Sequence, residues 1–515
     1  MHNLYEAFEK AAHRFPDQAA ILFGAHSISF RELKESADRL AAGLQKLQLQ
    51  KGNRVAVMLP NVPHFPITFY ALMKLGVQVI PLSIFEKSEE IRHQLEDAEV
   101  KGVIFWEGFR SVVHRAAHRL ECCQQYIVLG GNVGTGEHRL TDLIEGNPPL
   151  PEAVPVSGDD TALIIYTSGT TGSPKGAELT HANVLSNMDA FAEALNLSPS
   201  DGVVGVIPLY LPLGLNIVMQ AFLSQGCRLI LVSKFQTESL FPLVRSEKPA
   251  YFIGSPSMYR EMLKQEDADP SDLSSLKACV SFGDAIKEET MEAFEQRFHV
   301  PMLEAYGLTE ASPMVSMNSP SRERRPGSIG LPLKGIDLKI VNDSGHEVRP
   351  GHVGEIVVQG PNVMKGYLNR PEATKEALRD GWLHTGDMAR LDDSGYGFIV
   401  VRKKNIIVKS GFSIYPKEVE KFISAHPAVQ DAVVVGLPDP FMGEDIYACI
   451  VLKEGMSASQ DEIIAYAKER MAAYKCPKSV MFAASLPKGP TGKLLRGDVR
   501  KMMADFMKIQ LPTGI

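Results

Sequence analysis

A short apolar run, Thr161–Tyr166 (TALIIY), breaks at once into Thr-Ser-Gly-Thr-Thr-Gly-Ser-Pro-Lys-Gly176. The first part has the β-branched, apolar make-up of a buried strand. The second holds three glycines, three threonines and two serines around a single lysine, Lys175, and offers a core almost nothing to bury. Such a segment belongs at the end of a strand, outside the core, with its backbone free to turn. Glycines let backbone N–H groups converge on an anion, hydroxyls add donors and the lysine adds a point charge, so a phosphate suits it. Ordinary surface loops share this composition. The Walker spacing GxxxxGK[ST] is not met, because Gly176 follows the lysine.

With 515 residues the chain exceeds one compact core, and two or more domains are expected. Hydrophobic content of 44% and charged content of 22% are those of an ordinary globular protein. A formal charge of −7 argues against a nucleic-acid partner, although Arg322–Arg325 and Arg402–Lys404 are locally basic. None of the six cysteines forms a CxxC pair, and His118 before Cys122 lacks a second ligand pair, so reduced thiols in a cytoplasmic protein are expected, with no zinc site. Residues 1–10 read as an amphipathic helix with acidic residues, not as a signal peptide. Gly202–Gln225 carries no charged residue, but Pro208, Pro212, Gly214, Asn216 and Gln220 interrupt it. It reads as a buried strand, a loop and a core helix that wall an apolar pocket. Peripheral contact with a membrane, and the choice between monomer and homodimer, stay open.

Strand and helix patterns alternate along the first part of the chain. Helices are expected at Tyr5–His13, Arg31–Leu44 and Phe65–Leu75, with a hairpin around Ala19–Phe30. Strands are expected at Val55–Met58, Val77–Pro81, Val103–Trp106, Tyr126–Leu129, Leu163–Tyr166, Val203–Ile207 and Arg228–Val232. This alternation implies α/β layers with largely parallel strands. Gly130–Gly136 resembles a dinucleotide loop but leads into no suitable helix, and reads as an exposed loop. From about Gly327, short β runs (Asp337–Val341, Gly354–Gln359, Gly397–Val401) suggest a small β-rich subdomain. After Val401 a helix at Lys417–Ser424, strands at Val429–Val435 and Ala448–Leu452, and a helix at Gln460–Met471 suggest an α+β domain. The expected domains are therefore 1–401 and 402–515.

Three further motifs follow in order: Tyr306-Gly-Leu-Thr-Glu310, Trp382-Leu-His-Thr-Gly-Asp387 and Pro487-Lys-Gly-Pro-Thr-Gly-Lys493. Together with the loop before Lys175 they resemble the AMP-forming acyl-CoA synthetase and adenylating-enzyme superfamily, which includes firefly luciferase. The resemblance runs from Ile28-Ser-Phe-Arg-Glu-Leu33 to Lys493. It implies that a carboxylate attacks the α-phosphorus of ATP to give an acyl-adenylate and pyrophosphate, and that a thiol, usually of coenzyme A, then displaces AMP. It further implies that Thr167, Ser168, Gly169, Thr170, Thr171 and Gly172 wrap the β- and γ-phosphates with Lys175 nearby. By the same resemblance, Glu310 holds Mg²⁺ beside Thr167, Thr309 meets the α-phosphate and Tyr306 stacks on adenine. Asp387 accepts the ribose hydroxyls with Arg402 behind it, and Lys493 donates to α-phosphate and carboxylate oxygens. Lys404 matches a hinge about which the C-terminal domain rotates between half-reactions, and Gly411 matches a glycine that leaves room for the pantetheine arm. Taken singly, each residue also has a structural use, such as a helix-capping acid, a turn former or a solvated lysine.

The acid is sought in Gly205–Phe222 and Phe252–Tyr259, both uncharged, so no carboxylate awaits a substrate amine. An apolar acyl chain follows, each buried methylene contributing about 0.8 kcal/mol. Gly360–Tyr367 and Glu310–Met314 resemble bacterial long-chain fatty-acid–CoA ligases. Tyr210, Leu211, Phe282, Gly283, Asp284 and Gly307 are the candidate acid-binding residues. Four positions depart from the family pattern. Leu211 stands where a histidine is usual, Phe282 and Asp284 replace small residues, and Val401 precedes Arg402 in place of glycine or aspartate. A fatty-acid–CoA ligase is the first reading. Loading of a carrier-protein thiol, an aryl acid, or a non-catalytic nucleotide- or acyl-binding member are the alternatives.

Overall fold

The computed structural model describes residues 3–167, 174–409, 412–440, 442–471, 473–489 and 494–509, without the side chains of residues 402, 404, 412 and 413. Cα proximity divides the chain into two compact units. One comprises the described parts of Met1–Gly169, Ser173–Leu338 and Val358–His384; the other comprises Lys339–Val357 and Thr385–Ile515.

The first unit contains two large sheets. An eight-stranded sheet runs in the order Gly366–Tyr367, Lys175–Thr180, Thr161–Thr167, Gln78–Pro81, Arg54–Met58, Gly102–Trp106, Gln125–Leu129, Glu137–Arg139. The strands from Thr161–Thr167 to Glu137–Arg139 are parallel, as the alternating pattern implies. The last strand of the run before the phosphate-loop candidate is buried from Thr161 to Ile165. Helices Ser88–Asp97 and Arg110–Ala117 cover one face, where Ile91, Leu95, Val113 and Ala116 meet Val103, Phe105 and Val128. A nine-stranded sheet is parallel through Ala19–Phe23, Arg228–Leu231, Gly202–Gly205, Tyr251–Gly254, Ala278–Ser281 and Met302–Gly307, with antiparallel strands at both edges. Phe241, Val244, Tyr259, Phe294 and Phe298 pack against it through Val204, Phe252, Cys279 and Met302.

Gly202–Gln225 is strand, loop and helix, with two differences from expectation. The strand ends at Gly205, and Leu213–Ala221 is wound as a π-helix with every residue buried. Among the described residues no helix is long and apolar enough to cross a membrane. Gly131–Gly136 is an exposed loop, as expected.

In the second unit, the part of the strand Trp382–Leu391 from Asp387 onward pairs antiparallel with Gly397–Arg402. The α+β block is built on a long hairpin, Val429–Asp439 with Gly443–Leu452, and Ser479–Phe482 lies parallel beside it. Both hairpin strands exceed the expected spans. Helices Pro416–Ser424 and Gln460–Lys468 place Val419, Ile423 and Ile463 on one face. Arg496–Met507, a helix the sequence reading does not name, places Val499 and Met503 on the other. Arg496 fastens that helix by donating to Glu420 Oε1 at 2.5 Å and the Val434 carbonyl at 2.6 Å.

The N-terminal helices of the first unit carry a buried charge cluster. Lys74, fully buried, lies 2.8 Å from Asp38 Oδ1 and donates to Tyr5 Oη at 3.1 Å, while Tyr5 donates to Asp38 at 2.5 Å. Burial and Asp38 hold the Tyr5 phenol protonated, far above its ordinary range. Removing one partner of a buried pair strands the other charge, so Asp38→Ala is expected to cost about 3–5 kcal/mol. Asp38→Leu combined with Lys74→Met should recover only the part due to the stranded Lys74 charge, because Asp38 Oδ2 also accepts Lys34 at 2.7 Å and Oδ1 the Tyr5 hydroxyl; urea unfolding followed by circular dichroism measures both.

His181 begins the helix His181–Leu195, whose Thr180–Asn183 capping box follows directly on the strand from Lys175. Its Nδ1 accepts the Leu4 N–H at 3.3 Å, and burial pushes the imidazole down to about 4. An unfolded imidazole titrates near 6.5, so the folded state is the weaker proton binder. The stability tied to neutral His181 is present above about pH 6.5 and is lost as pH falls toward 4. His181→Gln should flatten the pH dependence of the unfolding midpoint in that window.

Candidate functional site

Strands Thr161–Thr167 and Lys175–Thr180 form an antiparallel hairpin whose last register pair is Thr167 with Lys175. The base on either side of the glycine-rich segment is therefore pinned. Ser168, Gly169, Thr170, Thr171 and Gly172 lie outside the described residues. Tyr166 donates to Asp97 Oδ2 at 2.8 Å, and His93 Nε2 donates to the Pro174 carbonyl at 3.1 Å, which fixes the base from outside.

Glu310 meets this hairpin. It sits in the 3₁₀ turn Thr309–Ala311, after the strand Met302–Gly307. Its Oε1 accepts the Tyr367 hydroxyl at 2.8 Å and the Thr167 hydroxyl at 3.5 Å. Lys175 Nζ lies 5.3 Å from the centroid of the Tyr367 ring. Burial, then the Glu310 charge, raises the Tyr367 phenol well above its ordinary value, so it is a donor at any working pH. The structure thus brings Thr167, Lys175 and Glu310 together, and adds Tyr367.

Tyr367 is the residue that sequence reasoning missed. It was legible only as part of Gly360–Tyr367, a stretch resembling fatty-acid ligases, because its place is set by the two-residue strand Gly366–Tyr367 pairing with Ala177 and Glu178.

The donor set suits a hard cation. Among the described residues no three His, Cys, Asp or Glu side chains gather to hold a metal. Glu310 Oε2 has no hydrogen-bond partner among them. One open carboxylate oxygen fits Mg²⁺, which keeps waters and takes substrate phosphates instead of a full protein cage.

The acid-pocket candidates lie at the carboxyl ends of parallel strands, where open α/β sheets bind ligands. Tyr210 and Leu211 follow Gly202–Gly205, Phe282 to Asp284 follow Ala278–Ser281, and Gly307 ends Met302–Gly307, next to the adenine candidate Tyr306. Asn61 holds the first of these loops: its Nδ2 donates to the Gly205 and Ile207 carbonyls at 3.1 Å, and its Oδ1 accepts the Leu209 N–H at 2.9 Å. Tyr210 is buried, which pushes its phenol up to about 12; Leu211 is half-buried. Phe282 is half-buried, whereas Gly283 and Asp284 are exposed, and Asp284 takes the Ala285 N–H at 2.9 Å. A side chain at Gly307 would run into the Pro313 carbonyl, so the turn toward Glu310 requires glycine there.

Uncharged amides brace that turn. Asn187 and Asn362 both donate to the Met314 carbonyl, at 2.7 and 3.1 Å. Asn216, on the π-helix, donates to the Ser312 carbonyl at 3.3 Å, and Gln220 donates to Asn216 at 3.1 Å.

In the second unit, Asp387 is buried, its N–H donates to Thr385 Oγ1 at 3.1 Å, and it faces Arg402 in the strand register. Lys404 falls in the 3₁₀ turn Lys403–Asn405. Lys403 donates to Asp343 at 2.8 Å and lies 3.7 Å from Glu355. Gly411 and Lys493, and the side chains of Arg402 and Lys404, lie outside the described residues. The segment carrying Lys493 is closed at its base by a bridge between Lys488 and Leu494 and by the Leu495 N–H donating to the Pro487 carbonyl at 3.0 Å.

The chain is similar to known proteins. The AMP-binding enzyme family model matches residues 8–368, and that of the AMP-binding enzyme C-terminal domain matches 418–493. A long-chain-fatty-acid–CoA ligase of Bacillus subtilis (strain 168) is 36% identical over 522 residues, spanning 94% of this chain and 92% of its own. A feruloyl-CoA synthase of Amycolatopsis sp is 35% identical over 494 residues, spanning 96% of this chain and 97% of its own. The crystal structure of ATP-bound MatB from Rhodopseudomonas palustris superposes with a TM-score of 0.91 at 28% identity, covering 98% of this chain and all of that one (100%). With its layered α/β unit, its hairpin-and-carboxylate cluster and these matches, the chain belongs to the AMP-binding enzyme family.

Proposed function

We propose that this chain activates a fatty acid with ATP and passes the acyl group to coenzyme A. The observation that carries this reading is the cluster of Thr167, Lys175 and Glu310, in which a lysine and an open carboxylate oxygen flank a strand-end loop made for phosphate. In the first half-reaction a carboxylate oxygen of the acid bonds to the α-phosphorus, and the bond to the bridging oxygen breaks to release pyrophosphate. In the second, the coenzyme A sulfur bonds to the acyl carbon, the thiol proton leaves and the bond to AMP breaks.

The residues of this chain bind and orient in that scheme. Lys175 and the segment Ser168–Gly172, with Thr167, hold the β- and γ-phosphates. Glu310 holds Mg²⁺, which when bound neutralises charge on phosphate oxygens. Tyr306 stacks on adenine, Thr309 meets the α-phosphate, and Asp387 with Arg402 takes the ribose. Lys493 donates to oxygens that gain charge as the acid attacks, and such donors matter because the charge develops in the transition state. The domain from 402 to 515 rotates about Lys404 between the steps, and Gly411 clears the path of the pantetheine arm. A cytoplasmic enzyme fits this use of reduced thiols and soluble co-substrates.

The choice of a fatty acid rests on the wall Leu213–Ala221, buried and without a charged residue. An aryl acid is the second reading, favoured by the half-buried ring of Phe282 at the end of Ala278–Ser281. Pyrophosphate release measured across saturated acids of graded length and cinnamic acids separates the two: activity rising with chain length supports the first, and a preference for the aryl acids overturns it.

Lys493→Ala is expected to slow adenylate formation by about 10²–10³-fold while leaving thioester formation from supplied acyl-AMP near wild type. Gly411→Trp should leave pyrophosphate release intact and block thioester formation. Equal loss of both half-reactions in either variant contradicts rotation about Lys404.

A further inference from the structure

Glu310 and Lys175 carry opposite charges, flank the same hairpin and yet form no ion pair. What separates them is Tyr367. Its hydroxyl donates to Glu310 Oε1 at 2.8 Å, and its ring face lies under the Lys175 ammonium, 5.3 Å from the centroid. The backbone around it is held on both sides. Gly366–Tyr367 pairs with the hairpin strand at Glu178 and Ala177, the Leu368 N–H donates to the Gly176 carbonyl at 2.8 Å, and the Met364 N–H donates to the Glu310 carbonyl at 2.8 Å. Thr374 Oγ1 accepts the Tyr367 N–H at 2.8 Å. The side chain is thus presented from a fixed strand between the two charged groups.

We propose that Tyr367 is a positioning residue of the nucleotide site, one that orients the Glu310 carboxylate and keeps it from neutralising Lys175; this rests on the reading of that cluster as the Mg-nucleotide site. The hydroxyl engages one carboxylate oxygen and leaves Oε2 turned out for the metal, as partners of metal-binding carboxylates do. The ring holds the ammonium by its π face, an interaction that uses none of the lysine's N–H donors. All three donors stay available to phosphate oxygens. A carboxylate in that place would spend them on an ion pair.

Two substitutions divide these roles. Tyr367→Phe keeps the ring and removes the hydroxyl; Tyr367→Leu removes both. Calorimetric titration of the full-length protein with ATP, in Mg²⁺ and again in EDTA, reads the metal and phosphate contributions separately. Tyr367→Phe is expected to raise the Mg²⁺ concentration needed for half-maximal ATP binding by about tenfold, with metal-free ATP binding unchanged. In steady state the KM for Mg-ATP rises while kcat at saturation is kept. Tyr367→Leu should also weaken metal-free ATP binding several-fold, as Lys175 turns to Glu310.

The proposal is overturned if Tyr367→Phe, unfolding at the wild-type temperature, keeps the wild-type Mg²⁺ requirement. It is also overturned if both variants weaken binding equally with and without metal. Glu310→Gln and Lys175→Ala test the underlying reading on the same instrument. If neither alters ATP binding, the cluster is not the nucleotide site; if both do and Tyr367→Phe does not, only the role of Tyr367 falls.

Discussion

A site for a polyphosphate must hold cationic and carboxylate groups side by side without letting them pair. At close range in a half-buried setting their attraction is strong, and an ion pair formed within the empty site would have to be broken each time a nucleotide bound. Here the problem is met by an aromatic ring. Lys175 rests on the face of Tyr367, and Glu310 accepts its hydroxyl. The two charges lie close together, and neither is spent on the other. The hairpin, the turn after Met302–Gly307 and the strand Gly366–Tyr367 are three segments far apart in sequence that meet to make this arrangement.

The surrounding fold supplies rigidity where the charges need it. Parallel strands end at one edge of the nine-stranded sheet, so the turns that follow them gather without long loops. The turn carrying Glu310 is fixed by amides, not by charges: Asn187 both donates to and accepts from Met314, Asn362 reaches the Ala311 and Met314 carbonyls, and Asn216 reaches Ser312. A buried network of neutral groups holds geometry without adding a field of its own to a site that works by charge. The buried charges in the helices near the N-terminus, Lys74 and Asp38, are met by direct contacts with each other and with Tyr5, and Asp38 is met also by Lys34.

Much of this could be read from the chain, for identifiable reasons. Thr161–Tyr166 is a strand because β-branched residues stop abruptly at a segment with nothing to bury, and the structure extends it by one residue, to Thr167. Leu213–Ala221 was legible as a buried helix but not as a π-helix: with every face apolar, the pattern carries no period from which to tell one winding from another. The strand expected at Val429–Val435 runs on, because pairing with Gly443–Leu452 carries it through Pro438 to Asp439. Lys74 closes a helix, a position that sequence assigns to solvent, and only tertiary packing shows it fully buried. Tyr367 was hidden for the same kind of reason. It is separated from Glu310 by 57 positions, and nothing in its neighbours announces the contact.

The departures from the family pattern can be weighed against this geometry. Val401 is buried in the strand Gly397–Arg402, opposite Met388, where a β-branched residue is at home and a glycine would weaken the pairing. Asp284 is exposed and occupied with the N–H of its own neighbour, which is turn chemistry. Leu211 removes a titratable ring from a stretch that otherwise has no ionisable group between Pro208 and Phe222 except the buried Tyr210 phenol, and so makes the wall more uniformly apolar. None of the three belongs to the cluster of Thr167, Lys175, Glu310 and Tyr367. These substitutions act on strand packing, on a turn and on the apolar stretch after Pro208, so any effect they have is expected on the acid and not on the groups around Glu310.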